Sequence, residues 1–461
     1  MVYVLSEKWV LALQDGSKWA VHVLSNGILP GLSFANVCLI SQSQWSGTTQ
    51  AGKLPKDSLG DGLYDSFIGN WITSITLVAE VSSQIGTYSL KYENGGNQAL
   101  APLIFALPHH VASLAPGIQS AGIKLHSGMH GVASGYQSYV LKLIEPSLPS
   151  DIGFLVDDDR AIWNNVNLFA IKKAVTPDIL RSDFLGCNTY STYFNGKCLA
   201  KSARLCLVAR DVVQDEDLFN NCIAQLEAVM DVFADNAHYT TFDYDPNWKG
   251  IVADAGYTTS GADFGGTDYN DHHFHYGYII YAAAVLTHLD PTWAGLTRLS
   301  ALTENLIRGC ANPSEEDQIF PQFRSMDWYV GHSIAHGVAT DFADGKDEES
   351  SSEDYNLAYA IQLYGKATQN AQLQALGALM GAVKARSVQS YMLLGPDNIV
   401  QPSMYNPNYV SGIHFANKMA HIIFFGGQTQ YVHGIHLVIT ATAYADVSLC
   451  EEGIFRRKRM E

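Results

Sequence analysis

The hydrophobic period of this chain changes once, and that change constrains its fold more than any single motif does. From the start to about Val140, short alternating or β-branched runs such as Trp9 to Leu13, Trp19 to Leu24 and Trp71 to Val78 alternate with turn clusters. Gln14-Asp15-Gly16-Ser17 and Glu93-Asn94-Gly95-Gly96 are two of these. Period-two runs broken by Gly, Asn and Asp predict an antiparallel β-domain, a sandwich. From Phe194 onward the spacing is helical: Leu199, Ala203, Cys206 and Val208 fall on one face. Further helices are expected over Glu216 to Phe233, Gly277 to Leu289, Gly295 to Arg308, Glu353 to Tyr364 and Ala371 to Leu393. Between these halves the pattern is mixed, which reads as a small linking domain. The expected division is a β-sandwich over residues 1–145, a linker domain over 146–192 and a helical domain over 193–461.

Composition narrows the function classes. The 461 residues are 47% hydrophobic and only 16% charged, and the formal net charge is −17. Such a surface repels phosphate backbones and anionic headgroups, so neither nucleic acid nor membrane is expected as a partner. The seven cysteines are scattered and form no C-x-x-C pair, so buried thiols are expected. Glu7, Lys8 and Trp9 interrupt any apolar leader, and no 18 apolar residues run together. As written the chain reads as cytoplasmic, or as extracellular or cell-wall if its start is truncated. Asp157-Asp158-Asp159 reads as a solvated turn, and Arg456-Arg457-Lys458-Arg459 as a frayed tail rather than a nuclear signal.

Chemistry concentrates in two segments. The first, Asp268-Tyr269-Asn270-Asp271-His272-His273-Phe274-His275-Tyr276-Gly277-Tyr278, opens an apolar helix. If that helix starts a turn early, Asp271 and His275 share a face and the imidazole can orient the carboxyl. Aromatic walls would desolvate that carboxyl, raise its pKa and suit it to general-acid work. The competing reading makes Asp271 a helix N-cap with core histidines behind it. Adjacent histidines diverge on a helix and no H-E-x-x-H spacing exists, so neither metal nor cofactor is expected.

The second segment runs from Asp341 to Asn356 and places five acids, Asp344, Asp347, Glu348, Glu349 and Glu353, around a serine run. Ser350 and Glu353 match a capping box. A helix starting earlier would instead set Glu349 and Glu353 one turn apart, roughly 6 Å along the axis. The residues leave these two readings even. Gly331-His332-Ser333-Ile334-Ala335-His336-Gly337 is a degenerate nucleophile elbow in helical surroundings, which disfavours a serine hydrolase. The aromatics of Phe320 to Tyr329 could stack on sugar rings or be ordinary core.

With these residues in view the sequence resembles glycoside hydrolase family 81, the endo-β-1,3-glucanases. The resemblance is carried by Tyr193-Phe194-Asn195-Gly196-Lys197, Tyr269 to Tyr278, Ala311-Asn312-Pro313-Ser314, Asp327 to Ser333, Phe342 to Glu353, Arg386-Ser387-Val388-Gln389 and Tyr431 to Ile435. Phe105 to His110 adds to it in the β-rich half. It implies a multidomain α+β fold: an N-terminal antiparallel β-sandwich, a small linking α/β domain and a C-terminal (α/α)6-type helical barrel. It also implies endo-hydrolysis of β-1,3-glucan by an inverting acid–base pair, with Asp271 as acid, Glu353 as base, and Glu349 and His275 in support. Tyr269, His273, Tyr276, Asp327, Trp328, Tyr329, His332 and Asp347 are the expected substrate contacts. A glucan substrate, no cofactor and a monomer are expected. About eight helical segments can be counted where the family has twelve, and Val438 to Thr442 precede an early end, so the resemblance implies truncation at both ends and an open barrel. The alternative function is β-glucan recognition without hydrolysis.

Overall fold

Alternation in the first part of the chain builds eleven strands and one short helix. They are β1 (Leu5–Ala12), β2 (Lys18–Ser25), β3 (Leu32–Ala35), β4 (Cys38–Ser41), β5 (Gly47–Leu54), β6 (Asn70–Ser82), β7 (Ile85–Gly96), β8 (Leu103–Ala106), α1 (Pro108–Ser113), β9 (Gln119–Ser127), β10 (Gly131–Gln137) and β11 (Val140–Glu145). The computed structural model describes residues 5–26, 31–35, 38–55, 60–149, 152–155, 165–338 and 343–436. It forms two compact units, Met1–Pro146 and Ser147–Glu461. Asp157 to Asp159, Asp341, Phe342, Val438 to Thr442, Cys450 and Arg456 to Arg459 lie outside the described residues.

In the first unit the strands pair antiparallel in three sheets, ordered β1-β2-β5, β8-β10-β9 and β11-β7-β6, with β3-β4 as a separate hairpin. Register follows side-chain pattern: along β7, Tyr88, Leu90 and Tyr92 point inward while Lys91 points out. A one-residue slip would reverse every one of these, so the alternation fixes the pairing. Ala20 and Leu54 of the first sheet pack with Ile123 of the second and with Tyr64, which closes a sandwich core.

The second unit is helical, with short two-stranded ribbons between helices. Its elements are α2 (Asn165–Leu180), α3 (Thr192–Leu207), α4 (Glu216–Ala234), β12 (Phe242–Asp245), β13 (Gly250–Ala253), α5 (Ala255–Thr258), α6 (His272–Leu289) and α7 (Leu296–Ala311). They continue with β14 (Met326–Asp327), β15 (His332–Ser333), β16 (Asp347–Glu348), α8 (Ser351–Ala367), α9 (Ala371–Tyr391), β17 (His414–Phe415) and α10 (Thr429–Gly434). Among the described residues, seven helices have sixteen residues or more. Helix α6 has sixteen of its eighteen residues buried, as expected of a helix apolar on all sides. It packs against α3 and α8, and α8 against α9. Gly196 permits the α3–α6 approach, since a Cβ there would lie 2.9 Å from the His275 carbonyl oxygen. No helix among the described residues is long and apolar enough to cross a membrane.

The cysteines depart from the expectation of free thiols. Cys187 pairs with Cys198, and Cys206 with Cys222. The 3-10 turn Phe184–Cys187 docks on α3, and α4 runs back beside it, so residues 11 and 16 apart in sequence meet without a short motif. Cys310 is a free, buried thiol.

Candidate active site

Asp271 occupies the N-cap position of α6, but its backbone is left-handed (φ 59°, ψ 18°) and its side chain caps nothing. The helix therefore starts at His272, and the one-face pairing of Asp271 with His275 is not formed. Its main-chain N–H donates to the Ala335 carbonyl (2.8 Å), and the Ala335 N–H donates to the Asp347 carbonyl (2.7 Å). These two bonds strap the turn to β16. Tyr269, Asp263 and Phe264 are also left-handed, so the approach to Asp271 holds several strained residues. Burial first, then the charges of Glu349, Asp347, Glu353 and Asp263, push the Asp271 carboxyl well above the usual aspartate range. A carboxyl in that setting keeps its proton where an ordinary one has lost it.

Glu353 sits in the first turn of α8, and the capping box is not formed. Ser350 makes no side-chain cap; its hydroxyl lies 3.3 Å from the Ile435 carbonyl oxygen and 3.3 Å from Ser352 Oγ. Glu353 Oε1 instead accepts from Tyr193 Oη (2.7 Å) and Tyr278 Oη (2.8 Å). Both phenols are raised above their ordinary pKa, chiefly by burial and then by Glu353, so they remain donors. Glu349 accepts from the Phe424 N–H (2.9 Å). Burial and the neighbouring Glu353 and Asp347 push its carboxyl up to about 7. Charges on Glu353, Glu349 and Asp271 all act on the Tyr193 phenol, so the three carboxyls share one neighbourhood.

His275 belongs to a different buried set. Its Nδ1 lies 2.7 Å from Thr192 Oγ1 and 3.7 Å from Asp263 Oδ2. Asp263 accepts from the Thr192 N–H (2.8 Å) and Ser191 Oγ (2.6 Å), securing the start of α3 just before Tyr193. The support His275 lends is thus to the tyrosine side of the site, not to the Asp271 carboxyl.

Most of the expected substrate contacts lie beneath the surface. Tyr269 is buried, donates to Asp245 Oδ2 (3.0 Å) and has the Arg324 guanidinium 4.2 Å over its ring, which occupies the face a sugar would need. Tyr276 donates to the Ile251 carbonyl (3.0 Å), and His273 bonds Glu348 (2.9 Å); both are buried. Trp328, His332 and Asp347 are buried as well, Asp347 pairing with His336. Asp327 is exposed and Tyr329 half-buried, so these two keep access to a ligand. Phe320, beneath the Arg308 guanidinium, is core. Ser333 is fully buried and accepts from Lys384 Nζ (3.0 Å), which leaves no accessible nucleophile.

Tyr193 and Tyr278, which touch Glu353, and Asp263, beside His275, are neighbours that sequence reasoning did not assign. Tyr193 is 160 residues from Glu353 and Tyr278 is 75, separations at which no local spacing carries a signal. Tyr193 and Tyr278 lie in stretches that carry the family resemblance, whereas Asp263 lies in none of the stretches singled out.

Residues 164–448 match the C-terminal domain of glycosyl hydrolase family 81, and residues 2–156 match its N-terminal domain. The chain is 35% identical over 440 residues to the primary septum glucan endo-1,3-beta-D-glucosidase of Schizosaccharomyces pombe, covering 94% of this chain and 43% of that protein. It is 34% identical over 443 residues to a glucan endo-1,3-beta-D-glucosidase of Arthroderma benhamiae, covering 94% of this chain and 48% of that one. The chain thus spans about half the length of these relatives. A solved glycoside hydrolase family 81 protein from Clostridium thermocellum superposes with a TM-score of 0.76 at 23% identity, over 96% of this chain and 61% of that one. Its sheets followed by helices are the arrangement seen here, and with both family domains matched in order along its length, the chain belongs to glycosyl hydrolase family 81.

Proposed function

We propose that this chain hydrolyses internal β-1,3-glucosidic bonds of β-1,3-glucan in a single inverting displacement. The observation that carries this reading is the unequal treatment of two carboxyls. Asp271 is desolvated among other acids and favours its proton, while Glu353 is held by two phenolic donors. One suits protonation of the leaving oxygen; the other suits activation of a water. Glu349 supports the pair directly, His275 supports it through the Tyr193 side, and Asp327 and Tyr329 are the accessible candidates for sugar contact. The reaction would take place in an (α/α)6-type helical domain of residues 193–461, joined through residues 146–192 to a β-domain of residues 1–145.

The test is reducing-end release from a linear β-1,3-glucan by purified protein, with Asp271→Asn beside it. The isosteric amide should leave the circular dichroism unchanged and lower turnover by about 10²- to 10⁴-fold, the usual share of general acid catalysis. Near-normal turnover in that variant contradicts the assignment. Glucan binding by the unmodified protein without release of reducing ends would point to recognition rather than hydrolysis.

A further inference from the structure

A layer of four ionisable side chains, each 1% exposed or less, adjoins the elements that carry the carboxyls: His273, Glu348, Asp354 and Lys384. They come from four elements, α6, β16, α8 and α9. Three of them adjoin the site in sequence. His273 follows Asp271 by two positions, Glu348 stands between Asp347 and Glu349, and Asp354 follows Glu353. Glu348 Oε2 lies 2.9 Å from His273 Nε2, and Glu348 Oε1 accepts from the Ser350 N–H (3.0 Å). Asp354 is ion-paired with Lys384 and accepts from the Ser333 N–H (3.0 Å). Lys384 also donates to the Asp354 carbonyl (3.1 Å) and to Ser333 Oγ (3.0 Å).

Charge balance sets the protonation of this layer, because an unpaired buried ion is costly. Ligand atoms of His273, Glu348 and Asp354 lie within 4.8 Å of one another, as in a metal site, but the Lys384 ammonium already supplies the positive charge that Asp354 needs. Around Glu348 stand Asp347 on its own strand, His273, Asp354, Lys384 and, across the ladder, His414. Burial, then Asp354 and Asp347, raise the Glu348 carboxyl well above its ordinary range, against the opposing pull of the Ser350 N–H and Lys384. Burial lowers His273 to about 3. The Glu348 Oε2–His273 Nε2 hydrogen bond therefore joins two groups whose charged forms are both disfavoured.

We infer that the Glu348–His273 hydrogen bond, braced by the Asp354–Lys384 ion pair, is a positioning device for the acid and base. It ties the strand that leads into Glu349 to the start of the helix behind Asp271, and the ion pair holds the first turn of α8, where Glu353 sits. The spacing of the two working carboxyls is then set by this layer, with no further negative charge added to a site already crowded with acids. This inference rests on the acid–base reading above.

The test compares Glu348→Ala, His273→Ala and Glu348→Gln in the full chain, reading kcat, KM and the pH profile on a linear β-1,3-glucan. The two alanine variants should lose about tenfold to 10²-fold in kcat with KM nearly unchanged, the effect of small misplacement of catalytic groups. Glu348→Gln keeps the size and, as an amide, offers Nε2 a donor or an acceptor while abolishing titration, so it should recover most of that turnover with the normal pH profile. Full turnover in both alanine variants overturns the inference. So does a Glu348→Gln variant as impaired as Glu348→Ala, since Glu348 would then act as an anion. If the alanine variants do not fold, the infrared difference spectrum of unmodified protein against Glu348→Gln decides. Loss of a protonated-carboxyl carbonyl band supports the inference, and its absence overturns it. Failure of the acid–base reading is separately visible as normal turnover in Asp271→Asn or Glu353→Gln.

Discussion

Glu353 receives two phenolic hydrogen bonds on one oxygen, and this leaves its second oxygen as the one able to meet a water. Tyr193→Phe and Tyr278→Phe each delete one O–H while keeping the ring. Hydrogen bonds to charged groups are worth about 1.5–3 kcal/mol, so each variant should lose roughly tenfold to 10²-fold in kcat. KM should move little, because neither phenol is asked to hold the sugar. Loss expressed wholly in KM would make the tyrosines binding residues instead. The pH profile has an assignable alkaline side. Asp271 is raised, so its working protonated form survives to higher pH than an ordinary aspartate and is lost as pH climbs through that raised value. The alkaline limb should therefore belong to Asp271.

At the scale of elements, α3 carries Tyr193 at its start and half-cystines at Cys198 and Cys206 along its length. Bridges of this loop length contribute on the order of 2–4 kcal/mol each. Reduction should accordingly lower the thermal midpoint and, by loosening α3, lower kcat in parallel. Unchanged turnover in the reduced, still folded protein would separate the bridges from the site. Much at this scale was legible beforehand: period two gave way to period 3.6, and α4, α7, α8 and α9 lie within a few residues of where periodicity put them. What was not legible is non-local. Nothing local marks Asp271 as left-handed, because the Asp271–Ala335 strap crosses 64 residues. Neither reading at Glu353 forms: α8 begins at Ser351, which leaves Glu349 outside the helix, and Glu353 meets hydroxyls from α3 and α6 in place of the Ser350 cap. The disulfides escaped notice because cysteine spacing does not reveal connectivity. His273 and Tyr276 sit in a motif that reads as a ligand surface, yet they face into the protein because α6 is covered on nearly every side, and Tyr269, before the helix, is buried against Asp245 and Arg324.

For the whole molecule, burying so many titratable groups makes stability depend on pH in two opposed ways. His272 and His273 are lowered from 6.5 to about 3, so the unfolded chain takes up protons first as pH falls below 6.5, and stability drops from there toward about 3. Glu349 is raised from 4.5 to about 7, so the folded chain keeps a proton the unfolded chain has lost, and stability declines as pH rises between those values. Glu349→Gln should flatten that decline in thermal midpoints, though it impairs activity; an unchanged decline would contradict the assignment. Whether Asp271 and Glu353 act as acid and base in one displacement is decided by stereochemistry. Inverting carboxyls stand about 6.5–9.5 Å apart with a water between them, whereas a spacing of about 5–5.5 Å makes the second carboxyl a nucleophile. Proton NMR of the new reducing end, recorded before mutarotation, distinguishes the two: an inverting Asp271–Glu353 pair releases the α-anomer first, and a β-anomer appearing first rules that pair out.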